Sequence, residues 1–474
     1  MSLLVTMGLL GVGSWWSVGQ LNGIHLQGLQ RDNTSQLSRA ELEAVRSHMS
    51  QGERLLLEDG VPPEKRAGVW AYQQGNYTEA ATNFQLALLA NPNDPEARIY
   101  ASNAAIGNDN AYTLAVVVSL SGDRTSALEV LRGVAQAQYE VNQRGGIGGV
   151  PLKLAIANDA NQPELAMKLA ATLGNDTSIL GVVGHATTET TLAALPHYEA
   201  AGLVTIAPLS TAIALTNRSQ YLFRTVPSDF VTARALADHA LNRMRHQRVA
   251  LFFSDQSADS QSLKNELSTA LALGGGQVVL EANLADDGFS PVASFNHAVE
   301  AGASALMLLP DSAQIDRALQ LVRGNAGRLA LLAGGELYTV KTLEISGPDA
   351  VGLVSVVPWH ALSNPRSPFA ATARTLWRGE VSWRTAVAFD AVQALAAALE
   401  RSPSRLGVQA ELSTGRSYAN GATGTIRFLP SGDRNQSVQL VEVQPGLRSG
   451  YGYDFVPLGF GSIVNPQEAL GMLP

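Results

Sequence analysis

From Tyr112 onward the chain alternates between two kinds of pattern, and that alternation limits the folds open to it. Nine short apolar runs recur near 112–119, 152–157, 179–183, 203–207, 248–253, 276–281, 304–309, 328–333 and 351–357. Helical patterns separate most of them, for example Phe230–Met244, Ser260–Leu273 and Ser312–Arg323. A strand with apolar residues on both faces must be buried on both faces, and helices between such strands provide the cover. The pattern therefore predicts an α/β protein of doubly wound parallel sheets. With 474 residues and this many units, the chain divides into two lobes.

Composition narrows the chemistry. The net charge is −8 and is spread along the chain, so there is no basic stripe to displace counterions from phosphates, and nucleic acid is not a partner. With no cysteine, thiol catalysis, disulfides, cysteine metal sites and lipid attachment through an N-terminal cysteine are all ruled out. None of the eight histidines falls in a His-Glu-x-x-His spacing. No Gly-x-Ser-x-Gly elbow occurs, and no carboxylate pairing points to glycosidase chemistry. Gly145-Gly-Ile-Gly-Gly149 leads from helix to strand, the reverse of a dinucleotide loop, and reads as a turn. We expect no cofactor and no enzymatic activity.

Ahead of the alternating region, residues 1–21 hold an uncharged apolar start that includes Leu3, Leu4, Leu9, Leu10, Trp15 and Trp16. It suits an export signal or a membrane anchor, although the usual basic start is missing. Residues 22–60 are polar and mixed, with helical character around Ser38 to Leu57, and read as a linker or helical stalk. Within 61–108, Gly68, Tyr72, Gly75, Tyr77, Ala80, Phe84, Ala87 and Pro92 are spaced as in one tetratricopeptide repeat. Small Gly68, Ala80 and Ala87 would let two helices approach, with Tyr77 and Phe84 filling the space between them. This resemblance implies either a spacer or a docking surface for a protein partner.

The ordered landmarks Val141-Asn-Gln-Arg-Gly-Gly-Ile-Gly-Gly149, Val150–Asp159, Gly181–Thr190 and Leu203–Thr211 resemble the type I periplasmic solute-binding proteins of the branched-chain amino acid group. Ala386–Leu395 and Gly421–Phe428 with Ser431-Gly-Asp433 look like that family's later helix and its closing strand and turn. The resemblance implies lobe one at 112–226 plus 358–421, lobe two at 227–357 plus 422–460, and a tail at 461–474. It also implies an extracytoplasmic protein that captures an amino acid-like ligand in the interlobe cleft and hands it to a membrane permease.

In doubly wound sheets ligands bind beyond the carboxyl ends of the strands, where loops meet helix N-termini. Two such turns are His185-Ala-Thr-Thr-Glu-Thr190 and Ala207-Pro-Leu-Ser-Thr211. Thr187 or Thr188 can cap the helix that follows, leaving free N–H groups able to hold an anion. The resemblance places a ligand carboxylate on Thr188 and Thr211, with backbone near Leu209 and Ser210 helping to hold the ligand. Across the cleft it places the amine on Glu336. Asp259 and Asp311 stand where the family has aromatic contacts, so they would face the ligand's far end and favour a polar or cationic group. The rival reading is an envelope interaction protein, a repeat followed by a binding-protein-like module, with no solute ligand.

Overall fold

The structure, a computed structural model, describes residues 38–415 and 418–459. The chain divides into two units, 1–44 and 45–474. The expectations for 1–21 and 461–474, and the first part of 22–60, lie outside the described residues. Helix Arg39–Ser47 opens with a capping box, Glu41 N donating to Ser38 Oγ and Ser38 N to Glu41 Oε2.

Two sheets organise the unit that begins at Val45. The first is built from β1 (Met49–Ser50), β2 (Tyr112–Val118), β3 (Leu152–Asn158), β4 (Ile179–Val183), β5 (Thr205–Ala207) and β6 (Leu222–Arg224). Its order is β1-β3-β2-β4-β5-β6, parallel except for the β1–β3 pair. The second lobe's sheet begins with β7 (Arg248–Phe253), β8 (Gln277–Asn283), β9 (Ala305–Leu309), β10 (Ala330–Ala333) and β11 (Val354–Val357). A separate hairpin, β12 (Ala419–Gly421) with β13 (Gly424–Ile426), follows. Antiparallel β14 (Gln439–Pro445) and β15 (Tyr453–Pro457) then close the second sheet, whose order is β15-β14-β11-β10-β9-β7-β8. The result is a two-lobed α/β fold, each lobe built on one largely parallel sheet.

The nine runs all become strands, and the central ones are buried on both faces, as in β9. Between the helices, Gly133 lets helix Arg124–Gln143 cross helix Trp383–Arg401 closely: a Cβ there would meet the Thr385 carbonyl oxygen and lie 2.8 Å from Phe389 N. The stretch Gly421–Phe428, read as a strand, forms the β12–β13 hairpin, and the Ser431-Gly-Asp433 turn follows it. Asp390, fully buried, holds that hairpin by accepting from Ala422 N (2.6 Å) and from the Arg434 guanidinium (2.6 Å).

The segment before the sheets is not a free stalk beyond Ser47. Met49 and Ser50 pair with β3, and Gly52 turns the chain at φ +145°, where a Cβ would strike the Tyr72 ring. Leu56 and Leu57 donate their N–H groups to Glu96, which also accepts from Tyr100 and is paired with buried Lys65 at 2.7 Å. A stalk reading follows from polarity alone, which cannot show that β3 has an open edge to fill. Helices Pro63–Gln73 and Tyr77–Ala90 pack against each other where Gly68 faces Phe84, and Tyr77 meets Tyr72 edge-on at 5.0 Å. The third helix, Pro95–Ile106, sends Asn103 to the outer edge of β3, donating to Leu154 O (2.8 Å) and accepting from Leu154 N (3.1 Å). The helical segment thus covers a sheet edge and is part of the first lobe's packing.

Candidate ligand-binding cleft

Each sheet reverses its strand order once. In the first, β2 leads outward to β3 on one side and β4 on the other; in the second, β7 leads to β8 and β9. Loops leaving the carboxyl ends at such a reversal diverge and open a crevice. The two crevices face one another. A cavity of about 450 Å³ lies between them, lined from one side by Ser119, Thr187 and Thr211 and from the other by Ser257, Asp259 and Asp311. That size suits a small organic molecule.

On the first lobe, helix Thr188–Ala200 starts after β4, with Thr187 as its N-cap. Thr187 Oγ accepts from Thr190 N and donates to Asn161 at 2.9 Å. After β5 the chain turns through Leu209–Ala212 into the short turn Ile213–Leu215. On the second lobe, Ser257 caps helix Ala258–Leu273 and places Asp259 in its first turn.

The two turns converge on one carboxylate. Asp259 accepts from Thr188 N (3.0 Å), Thr188 Oγ (2.7 Å), Thr211 N (2.8 Å), Thr211 Oγ (3.3 Å) and Ala212 N (3.0 Å). Free N–H groups at the start of a helix carry partial positive charge, and two hydroxyls complete an anion cradle. Three further bonds cross the cleft beside it. Ala258 N donates to Glu189 (2.5 Å), Ile213 N to Ser262 Oγ (3.1 Å), and Arg384 to Glu336 (2.9 Å).

The other expected site residues fall in several places. Leu209 lines the cavity. Ser210 is fully buried, and its hydroxyl binds Thr191 Oγ and His185 O, away from the cleft. Asp311 lines the cavity while accepting from Ser254 Oγ (2.6 Å) and Gln314 N (2.9 Å). Glu336 also lines the cavity, but its carboxylate is already paired with Arg384. Asp259, expected at the far end of a ligand, is bound by Thr188, Thr211 and Ala212. Starting the helix at Ala258 swings its side chain across the cleft into the first lobe's turns. His185, which opens the first turn, is buried between Asp159 (2.7 Å) and Tyr198 (3.0 Å) and is part of the core.

Three residues of the cleft had no place in the sequence reading. Asp229 begins helix Asp229–Asp238, is 1% exposed, lines the cavity, and leaves Oδ2 without a hydrogen-bond partner. Burial, with the Asp259 charge second, pushes its carboxyl up to about 7. Trp383 lines the cavity with its indole N–H unpaired, and Arg384 stacks on that ring at 4.4 Å. A signal for these last two was available: an arginine beside a tryptophan opens a helix that otherwise reads as wholly buried. Among the described residues, no group of histidine and carboxylate side chains is placed to hold a metal, and no helix is long and apolar enough to cross a membrane.

A cleft between two doubly wound lobes, with N–H and hydroxyl donors on one side and Asp229, Asp259, Asp311 and Glu336 on the other, is an arrangement suited to a solute receptor. The periplasmic binding protein family matches residues 111–450, most of the chain, and the protein belongs to that family. It is similar to the Leu/Ile/Val-binding protein homolog 3 of Brucella melitensis, 27% identical over 332 residues, which are 68% of this chain and 88% of that protein. An amino acid binding protein of Pseudomonas aeruginosa is 32% identical over 142 residues, 29% of this chain and only 38% of that protein's length. Among solved structures, a leucine binding protein from Thermotoga maritima superposes with a TM-score of 0.65 at 22% identity, covering 76% of this chain and all of the other. A branched-chain amino acid substrate-binding protein of Streptococcus pneumoniae, solved with isoleucine, gives 0.63 at 18% identity, covering 73% of this chain and all of the other.

Proposed function

We propose that this is an extracytoplasmic receptor that captures a small amino acid-like molecule bearing an ammonium group between its lobes and presents the closed form to a membrane permease. The observation that carries the reading is the cleft itself: five donors on one lobe converge on a single carboxylate, beside a cavity lined by acids. The relatives above, Leu/Ile/Val-binding and amino acid binding proteins, point the same way. The ammonium is assigned to the acidic side, where Asp229 has an unpaired oxygen whose ionised form a cation would favour and where Asp311 also lines the cavity. Closure follows from contact of one ligand with both lobes. The lobes are divided at 226/227, 357/358 and 421/422, because the chain leaves the first sheet after Arg224, the second after Val357, and returns to the second at β14.

The helices of 61–108 are read as one tetratricopeptide-like unit serving as a packed spacer. A second reading, an envelope interaction protein with no solute, is favoured by one observation: Trp70 and Leu89 on those helices are 58% and 73% exposed. The test is thermal unfolding of the full chain against amines, amino acids and their amides. Ligand at 100 times its Kd adds about 2.7 kcal/mol. A hit weakened by Asp229→Asn supports the receptor. A folded chain that responds to nothing in the panel favours the interaction protein.

A further inference from the structure

The cradle formed by Thr188, Thr211 and Ala212 has the composition of a carboxylate-binding site, yet its anion belongs to the protein. We propose that Asp259 is a tethered carboxylate that fills the cleft's anion cradle, so that the cleft selects small ammonium ligands carrying no carboxylate of their own. This rests on the receptor reading above and specifies its ligand.

The argument is one of exchange. A ligand carboxylate could enter the cradle only by displacing Asp259, and the same five donors would then hold one carboxylate instead of another. No hydrogen bond is gained. The displaced Asp259 would lose its donors within a cavity that already contains Asp123, Glu189, Asp229, Asp311 and Glu336 and, among the described residues, is lined by no lysine, arginine or histidine; the adjacent Arg384 is already paired with Glu336. A buried charge without a partner is strongly unfavourable, and adding the ligand's own negative charge compounds it. A ligand without a carboxylate leaves the cradle intact and meets the rest of the cavity, where two buried groups lack partners. Asp229 Oδ2 has no partner and, with the carboxyl ionised by a cation beside it, accepts from an ammonium; Trp383 Nε1 needs an acceptor, which a neutral carbonyl or hydroxyl supplies. Amino acid amides and amino alcohols offer both without negative charge. Asp259 also lies in the first turn of its own helix, so one carboxylate interacts with the positive ends of two helices and ties the lobes together.

Calorimetric titration of the full chain with matched pairs, L-leucine with L-leucinamide and L-alanine with L-alaninamide, tests this on the wild type and on Asp259→Ala. The wild type is expected to bind an amide at least tenfold more tightly than its parent amino acid. Asp259→Ala, with the cradle vacated, is expected to reverse that order and to gain at least tenfold in affinity for the amino acid. Should the variant fail to fold, the wild-type preference decides alone: an amino acid bound as tightly as its amide overturns the proposal. A wild type and a folded variant that bind the amino acid equally overturn it too, while leaving the receptor reading in place. If neither protein binds any of the four probes, both readings fall.

Discussion

Asp229→Asn gives a direct test of the electrostatics of the cleft. Asp229 is buried at the start of its helix, its N–H donates to Thr211 O at 3.0 Å, and one carboxylate oxygen is unpaired. Burial, and after it the Asp259 charge, raises the carboxyl from 3.8 to about 7; the Ser262 and Thr211 hydroxyls and the Arg224 guanidinium oppose the rise. The sign follows from proton counting. Between pH 4 and pH 7 the folded protein keeps a proton that the unfolded chain has released, so stability falls as pH rises through that window and levels off above it. At about 1.4 kcal/mol per tenfold change in proton affinity, the rise corresponds to a loss of about 4 kcal/mol, complete by about pH 8. Asparagine has nearly the same shape and no charge, so its variant lacks this loss. Urea unfolding of both proteins at intervals from about pH 5 to about pH 8.5 isolates the effect, because every other titrating group is shared. The variant should gain on the wild type steadily with pH and exceed it at about pH 8. Two parallel profiles would refute the assignment of a buried, protonated acid at this position.

Gly133→Ala should destabilise the first lobe by about 1–3 kcal/mol or more, since the added methyl meets the backbone of Thr385 and Phe389, which cannot move aside as a side chain can; urea unfolding checks it, and a neutral effect would contradict the close helix crossing. Asp390→Ala removes the only carboxylate paired with the 1%-exposed Arg434 side chain among the described residues, and should cost roughly 3–5 kcal/mol in the same assay. Replacing both partners with apolar residues should cost less than the single change, because no buried charge is left alone.

Much of the fold was legible because burial on both faces leaves a simple trace. Alternation of apolar and polar residues is absent from Leu114-Ala-Val-Val-Val118, and such a run admits few other structures. The misses share a cause. Met49–Ser50 forms a strand only because β3 offers an unpaired edge, and two residues carry no period of their own. β14, one strand in from the edge of the second sheet, has only two buried positions, Val441 and Val443, too little to distinguish a strand from a polar loop. Asn103 reads as an ordinary polar helix residue until the backbone of Leu154 appears beside it.

The cleft divides along the same line. Thr188 and Thr211, whose N–H and hydroxyl groups reach Asp259, stand at turns legible as anion donors, because a hydroxyl at a strand-to-helix turn exposes N–H groups whatever the rest of the chain does, while Thr187 only caps the helix. The identity of the anion was not. Asp259 lies 71 residues beyond Thr188 and 48 beyond Thr211, in a loop whose acids look alike in sequence: Asp255 four residues earlier would have read the same way. What separates them is helix phase. Ser257 fixes the helix start, the first turn then carries Asp259 toward the opposite lobe, and Asp255 remains exposed at the rim. A turn built for an anion is the same turn whether its anion arrives from solution or on a tether of the protein's own backbone. Sequence can therefore locate the cradle, while the ligand it leaves room for depends on which carboxylate reaches it first.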